Sequence, residues 1–196
     1  MRGGVYMANV RDVARFFIDL GEKQYEAGIG DLVTPLRLQK LLYFAQGWFL
    51  ARYGRPLFNA RIEAWEHGPV VPEVYNAYRH LKGNGITSAG MPDESCFSEE
   101  EISTLIDVAA EYDKHSTWAL VDMTHEPDTP WAATAWNDTI STEKIRAYFS
   151  AKPKLKSLKD ALASFDAEHT ITPVRYEDGV AILPKDAREK LGVWDA

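Results

Sequence analysis

Thr34-Pro-Leu-Arg-Leu-Gln-Lys-Leu-Leu-Tyr-Phe-Ala-Gln-Gly-Trp48 decides the fold. Thr34 is suited to cap a helix whose first position is Pro35, where the missing N–H is one that no helix would use, and Gly54 stands where such a helix should stop. The run therefore predicts a helix over 34–52. Leu38, Leu41, Leu42, Ala45, Trp48 and Phe49 form one stripe, while Leu36, Tyr43, Phe44 and Leu50 carry apolar surface to the other sides. A helix apolar on nearly every side must be surrounded by other elements. The expected fold class is mainly α: a compact helical domain packed around this central buried helix, with minor β-hairpin elements.

Working outward, Asn9 can cap a first amphipathic helix in which Val10, Val13, Ala14, Phe17 and Leu20 keep helical spacing. Arg61-Ile-Glu-Ala-Trp65 alternates and reads as a short extended segment. In Trp65-Glu-His-Gly-Pro-Val-Val-Pro-Glu-Val-Tyr75, Pro69 and Pro72 fix φ near −65° and Gly68 permits a turn that other residues would strain. A helix should follow from Pro72, with Val74, Ala77, Tyr78 and Leu81 inward. Gly83-Asn-Gly85 is a turn signal. Ser98 with Glu101 makes a capping box for a helix whose inner face is Ile102, Leu105, Ile106, Ala109 and Tyr112. Short helices are expected over 117–124 and 131–136, divided by Pro127 and Pro130, and one capped by Ser141 carries Ile145, Tyr148 and Phe149.

Lys152-Pro-Lys-Leu-Lys156 marks a change of character. It divides the chain into a helical domain over 1–151 and a C-terminal α/β extension over 152–196. The extension reads as a helix over 155–165, a small hairpin over 174–183 turning at Asp178-Gly179, and a last helix from Pro184 to about Gly192. Met7-Ala8-Asn9 would serve as a start, which leaves 1–6 as an expected disordered leader.

At 196 residues and 45 % hydrophobic content the chain can bury a core without metals or disulfides. Cys96 is the sole cysteine, so neither an intramolecular disulfide nor a cysteine-rich zinc site is possible. The sequence holds no secretory leader and no apolar run of membrane-spanning length, which makes the cytoplasm the expected compartment. Of the net charge of −7, the extension carries none, with eight basic and eight acidic residues; 1–151 holds 14 basic against 21 acidic. Duplex binding needs clustered Lys and Arg to neutralise phosphates, so nucleic acid is not an expected partner of this domain.

Chemical motifs are missing where they would be sought. His125-Glu126 is followed at once by Pro127, with no second His a turn later. His67, His80, His115 and His169 lack metal-ligand spacing. There is no phosphate-cradling glycine loop and no Gly-x-Ser-x-Gly elbow. Cys96 lies among Asp93, Glu94, Glu99 and Glu100, which blunt a thiolate. No catalytic, metal or cofactor role is expected.

The runs Thr34-Pro-Leu-x-Leu-Gln-Lys-Leu-Leu-Tyr-Phe-Ala45, Gly54-x-Pro-Leu-Phe58, Ile62-Glu-Ala-Trp65 and Gly68-Pro-Val-Val-Pro-x-x-Tyr75 follow one another in order, and His125 with Pro130-Trp131 comes later. Together they resemble the Panacea-domain family of bacterial and phage antitoxins, over roughly 8–149. The resemblance implies an antitoxin that neutralises a cognate protein toxin by direct contact. Related antitoxins of the SocA type present the toxin to a ClpXP-type protease, and both mechanisms remain open. The residues expected to touch the partner are Trp65, Glu66, His67, Gly68, Pro69, Val70, Pro72 and Tyr75, with His125 and Trp131. Proline-stiffened turns lose less entropy on docking, and Trp and Tyr are favoured anchors. The other reading is that Trp65, Val70 and Tyr75 plug the core against the central helix. Trp118, Trp131 and Trp136 form a second aromatic group with the same two readings.

One segment points to a different class. Val180-Ala-Ile-Leu-Pro-Lys-Asp-Ala-Arg-Glu-Lys-Leu-Gly192 is similar to the strand–Pro–helix end of AbrB-type DNA-binding antitoxin modules. The alternative function is therefore autoregulation of a toxin–antitoxin operon through this tail. An ordinary strand-to-helix junction accounts for the same residues.

Overall fold

The computed structural model describes residues 7–88 and 90–158, together with two short strands near the C-terminus. Two compact units divide the chain, Met1–Leu158 and Lys159–Ala196. The first is mainly helical: α1 (Val10–Glu26), α2 (Pro35–Tyr53), strands β1 (Glu63–Trp65) and β2 (Gly68–Val70), α3 (Pro72–Tyr78), α4 (Glu99–Asp113), α5 (Thr117–His125) and α6 (Thr142–Ala151).

The helix starts follow from side chains that satisfy backbone N–H groups left over at helix ends. Asn9 accepts from the Arg11 N–H, Thr34 from Arg37, Ser116 from Ala119 and Ser141 from Lys144. Ser98 and Glu101 make the reciprocal capping box. Gly54 closes α2 with φ +69°, a left-handed conformation that glycine adopts without strain.

α2 is the centre of the unit. Every residue from Leu38 to Leu50 is buried, and α1, α3, α4, α5, α6 and β2 all pack on it. Phe44 stacks on Tyr112 of α4 at 4.0 Å, and Trp48 donates to the Tyr112 hydroxyl at 2.9 Å. Phe149 of α6 fills the space over Gly47, where a Cβ would collide with its ring. Gln46 uses both ends of its amide: Oε1 accepts from Leu57 and Phe58 N–H, and Nε2 donates to the Phe58 carbonyl. That clamp returns the chain from Gly54 along α2 toward β1.

Some expectations are corrected. Residues 131–136 form turns, with Ala133 N bonded to Thr129 O and Thr134 N to Trp131 O, instead of a helix. The reason is long-range. Asn137 N donates to Ala64 O, Ala64 N to Asp138 O and Ile140 N to Ile62 O, so 137–140 is committed to pairing along β1. α4 is rotated from the expected face: Leu105, Val108 and Tyr112 are buried with Thr104 and Asp107, while Ile102, Ile106 and Ala109 are only half-buried. Arg52 of α2 reaches Asp107 at 2.7 Å, and Arg55 lies 3.8 Å from Glu101, which turns the polar edge of α4 inward. In α3, Val74 is buried but Ala77 is exposed.

In the second unit, β3 (Arg175–Glu177) pairs antiparallel with β4 (Val180–Ile182), Arg175 opposite Ile182, as the hairpin expected over 174–183 requires. Residues 155–157 are not helical. The remainder of the helix expected there, the one from Pro184, most of the AbrB-like segment and the leader over 1–6 lie outside the described residues.

The anchored hairpin and its groove, a candidate docking site

β1 and β2 form a tight antiparallel hairpin with Trp65 opposite Gly68 and the turn at Glu66-His67. Four contacts fix it to α2, α5 and the 131–136 turns. Lys40 Nζ donates to the Pro69 carbonyl at 3.0 Å, and Gln39 Oε1 accepts from the Val71 N–H at 2.8 Å. Trp131 Nε1 donates to the Trp65 carbonyl at 2.8 Å, and His125 Nε2 lies 3.1 Å from the Glu66 carbonyl. Nδ1 of the same ring lies 2.7 Å from the Val121 carbonyl. A neutral imidazole, with one N–H, serves one of these carbonyls at a time; an imidazolium serves both.

Lys40 is the unusual member. Its side chain is fully buried, at 0 % exposure, inside the central helix run. Among the described residues no carboxylate forms an ion pair with it, and its hydrogen bond goes to Pro69. Burial disfavours the ammonium and pulls the pKa down from 10.5 to about 7. Gly68 makes room for this amine. Its φ is +97°, and a Cβ there would stand 2.5 Å from Thr124 Oγ1 and 2.7 Å from Lys40 Nζ.

The expected partner-binding residues divide into two groups. Gly68, Pro69 and Val70 are buried, and they hold the strand against α2 and α5. Glu66 and His67 are exposed at the turn, while Trp65, Pro72, Tyr75, His125 and Trp131 are half-buried. The Trp65 and Tyr75 rings meet edge-on at 4.8 Å, and His125 lies against Trp131 at 3.8 Å. Two further tryptophans reach solvent beside the turn. Trp118, 60 % exposed, meets the His67 ring at 5.9 Å; Trp136, 72 % exposed, lines a groove with Glu66.

That groove has a volume of about 510 Å³ and runs between Ala64, Trp65 and Glu66 on one side and Trp131, Ala132, Thr134 and Trp136 on the other. The size is that of a small-ligand or side-chain pocket. Among the described residues no group of three or more His, Cys, Asp or Glu is placed to hold a metal ion. No described helix is long and apolar enough to cross a membrane. Lys40 does not line the groove, so its shifted amine and this opening are separate.

Sequence reasoning passed over Gln39 and Lys40. The signal was present: a glutamine and a lysine inside a helix with no polar face have nowhere to reach water, so both must find partners inside.

Residues 38–132 match the family described as antitoxin SocA-like, Panacea domain. That span begins in α2 and takes in the hairpin, both of its α2 ties, His125 and Trp131. The chain is also similar to antitoxin SocA of Caulobacter vibrioides (strain NA1000 / CB15N), 44 % identical over 70 residues. The match covers 36 % of this chain and 35 % of that protein, so it spans about a third of the relative's length. No solved structure matches. The order of motifs, the helical architecture around α2 and the family match agree over one stretch: residues 38–132 carry the match to the SocA-like Panacea domain that the sequence resemblance implied.

Proposed function

We propose that this chain is an antitoxin that binds a protein toxin and neutralises it by direct contact on the face of the β1–β2 hairpin. The observation that carries the reading is the rigidity of that face. The hairpin is tied to buried groups on α2 at Pro69 and Val71, and exposed aromatic surface stands beside its turn at Trp118 and Trp136. A backbone held in one conformation gives up little entropy on docking, and exposed tryptophans are the side chains that anchor interfaces. The acidic excess of 1–151 suits a basic protein partner and opposes DNA binding by this domain. The setting is the cytoplasm, no cofactor takes part, and delivery of the bound toxin to a ClpXP-type protease is a second step open to the same complex.

Co-expression with the protein encoded beside this chain's gene tests the proposal. The neighbour alone should arrest growth, and the pair should restore growth and co-elute from a sizing column. Substituting Glu66 and His67 with alanine should abolish co-elution while leaving the helical circular dichroism unchanged. Rescue without co-elution would move the weight to transient delivery to the protease. A harmless neighbour that never co-elutes would overturn the antitoxin reading.

A further inference from the structure

We infer that the groove between the hairpin turn and the 131–136 turns receives an arginine or lysine side chain from a basic segment of the protein partner; this rests on the docking face proposed above and specifies its chemistry. The hairpin and α3 carry Glu63, Glu66 and Glu73, with no lysine or arginine between Arg61 and Arg79. The other wall belongs to a segment with Asp122, Glu126, Asp128, Asp138 and Glu143, and between Lys114 and Lys144 it too has neither. Three cations of these and adjoining segments are already engaged. Arg61 pairs with Glu63 at 2.8 Å, Lys144 donates to the Ala133 carbonyl at 2.9 Å, and Arg11 reaches Glu73 at 3.3 Å.

Glu66 is exposed, has no ion pair among the described residues, and lines the same opening as Trp131 and Trp136. Trp131 is backed by His125 and held by its N–H bond to Trp65, so its ring is fixed in place. Trp136 is largely free. A fixed indole, a free indole and an unpaired carboxylate around an opening of about 510 Å³ favour a flat or compact cation. A cation over an indole face is attracted by the ring quadrupole, and the carboxylate adds a charge-assisted hydrogen bond. An acidic side chain would meet only like charge, and an aliphatic one would leave Glu66 without a partner.

The test uses the full chain and three short blocked peptides, acetyl-Gly-Arg-Gly amide, acetyl-Gly-Leu-Gly amide and acetyl-Gly-Glu-Gly amide, followed through the indole N–H signals of Trp131 and Trp136 by NMR. The arginine peptide should shift both signals saturably at millimolar concentration, and less so as salt is raised. Glu66→Gln and Trp136→Ala, both at exposed positions, should each weaken it by about tenfold. Equal response to the leucine peptide would make the groove a plain apolar pocket and overturn the inference. So would a missing response to the arginine peptide, or indole shifts that depend on protein concentration alone, which would assign the groove to a second copy of the chain. None of these outcomes depends on growth rescue by the neighbouring protein, so failure here is distinct from failure of the antitoxin reading.

Discussion

Lys40→Met should remove a rise in stability with pH that the native chain owes to one buried amine. In the folded protein burial holds the Lys40 pKa near 7, and in the unfolded chain it returns to 10.5. Below about pH 7 the amine is protonated in both states. Between about 7 and 10.5 the unfolded chain holds a proton that the folded chain has released, so stability climbs as pH rises. Carried across that window the climb is about 5 kcal/mol, and from pH 7.5 to 9.5 it is about 2–3 kcal/mol. Above about pH 10 the buried Tyr43 and Tyr112 act in the opposite sense, since burial raises both hydroxyls and the unfolded chain ionises first. Both tyrosines are present in the variant and cancel from the comparison. Methionine keeps the length and apolar volume but leaves the Pro69 carbonyl without its donor, a cost of about 1–3 kcal/mol at every pH. Urea unfolding of both proteins at pH 7.5, 8.5 and 9.5, at fixed ionic strength, reads the difference. The native chain should gain about 2–3 kcal/mol on the variant across that range. Parallel curves would show that the amine is not held neutral by its burial, and the account of the α2–hairpin tie would fail with it.

Four other substitutions follow from single contacts. Gly68→Ala places a Cβ against Thr124 and Lys40 at φ +97° and should lower stability by about 2 kcal/mol or more, read as a fall in melting temperature. Gly47→Ala drives a methyl into the Phe149 ring and should cost about 1–3 kcal/mol by the same measurement, with α6 the first segment to lose amide-exchange protection. Arg52→Ala strands the buried Asp107 carboxylate and should destabilise by about 3–5 kcal/mol in urea titration. Gln39→Leu leaves the Val71 N–H unpaired; it should cost about 1–3 kcal/mol and speed amide exchange at Val71 ahead of the rest of the hairpin.

Most helix boundaries were legible because they are written in local chemistry. Asn9, Thr34, Ser98 and Ser141 each cap a helix through a hydroxyl or amide two or three residues away, and Gly54 ends α2 by its backbone alone. The central place of α2 was legible for the same kind of reason, since a helix without a polar side has no solvent face to offer. What local reading missed was settled by partners distant in sequence. The 131–136 segment became turns because 137–140 pairs with β1, about 75 residues earlier, and no local pattern announces that pairing. α4 turned its acidic residues inward because Arg52 and Arg55 wait for them at the end of α2. At the candidate site, the glycine and prolines marked the turn, but not that it would be moored by Lys40 and Gln39. Nor did they show that Trp136 would stand in the open beside Glu66.

Photo-crosslinking in cells tests the docking face most directly. A benzoylphenylalanine is placed at His67, and in a second strain at the exposed Lys114 of the α4–α5 connection, each co-expressed with the protein encoded beside this gene. The account predicts a crosslinked heterodimer from position 67 and none from position 114, with growth rescue retained in the position 114 strain. Crosslinking from position 114 alone, or rescue by both strains with no crosslink at position 67, would contradict it.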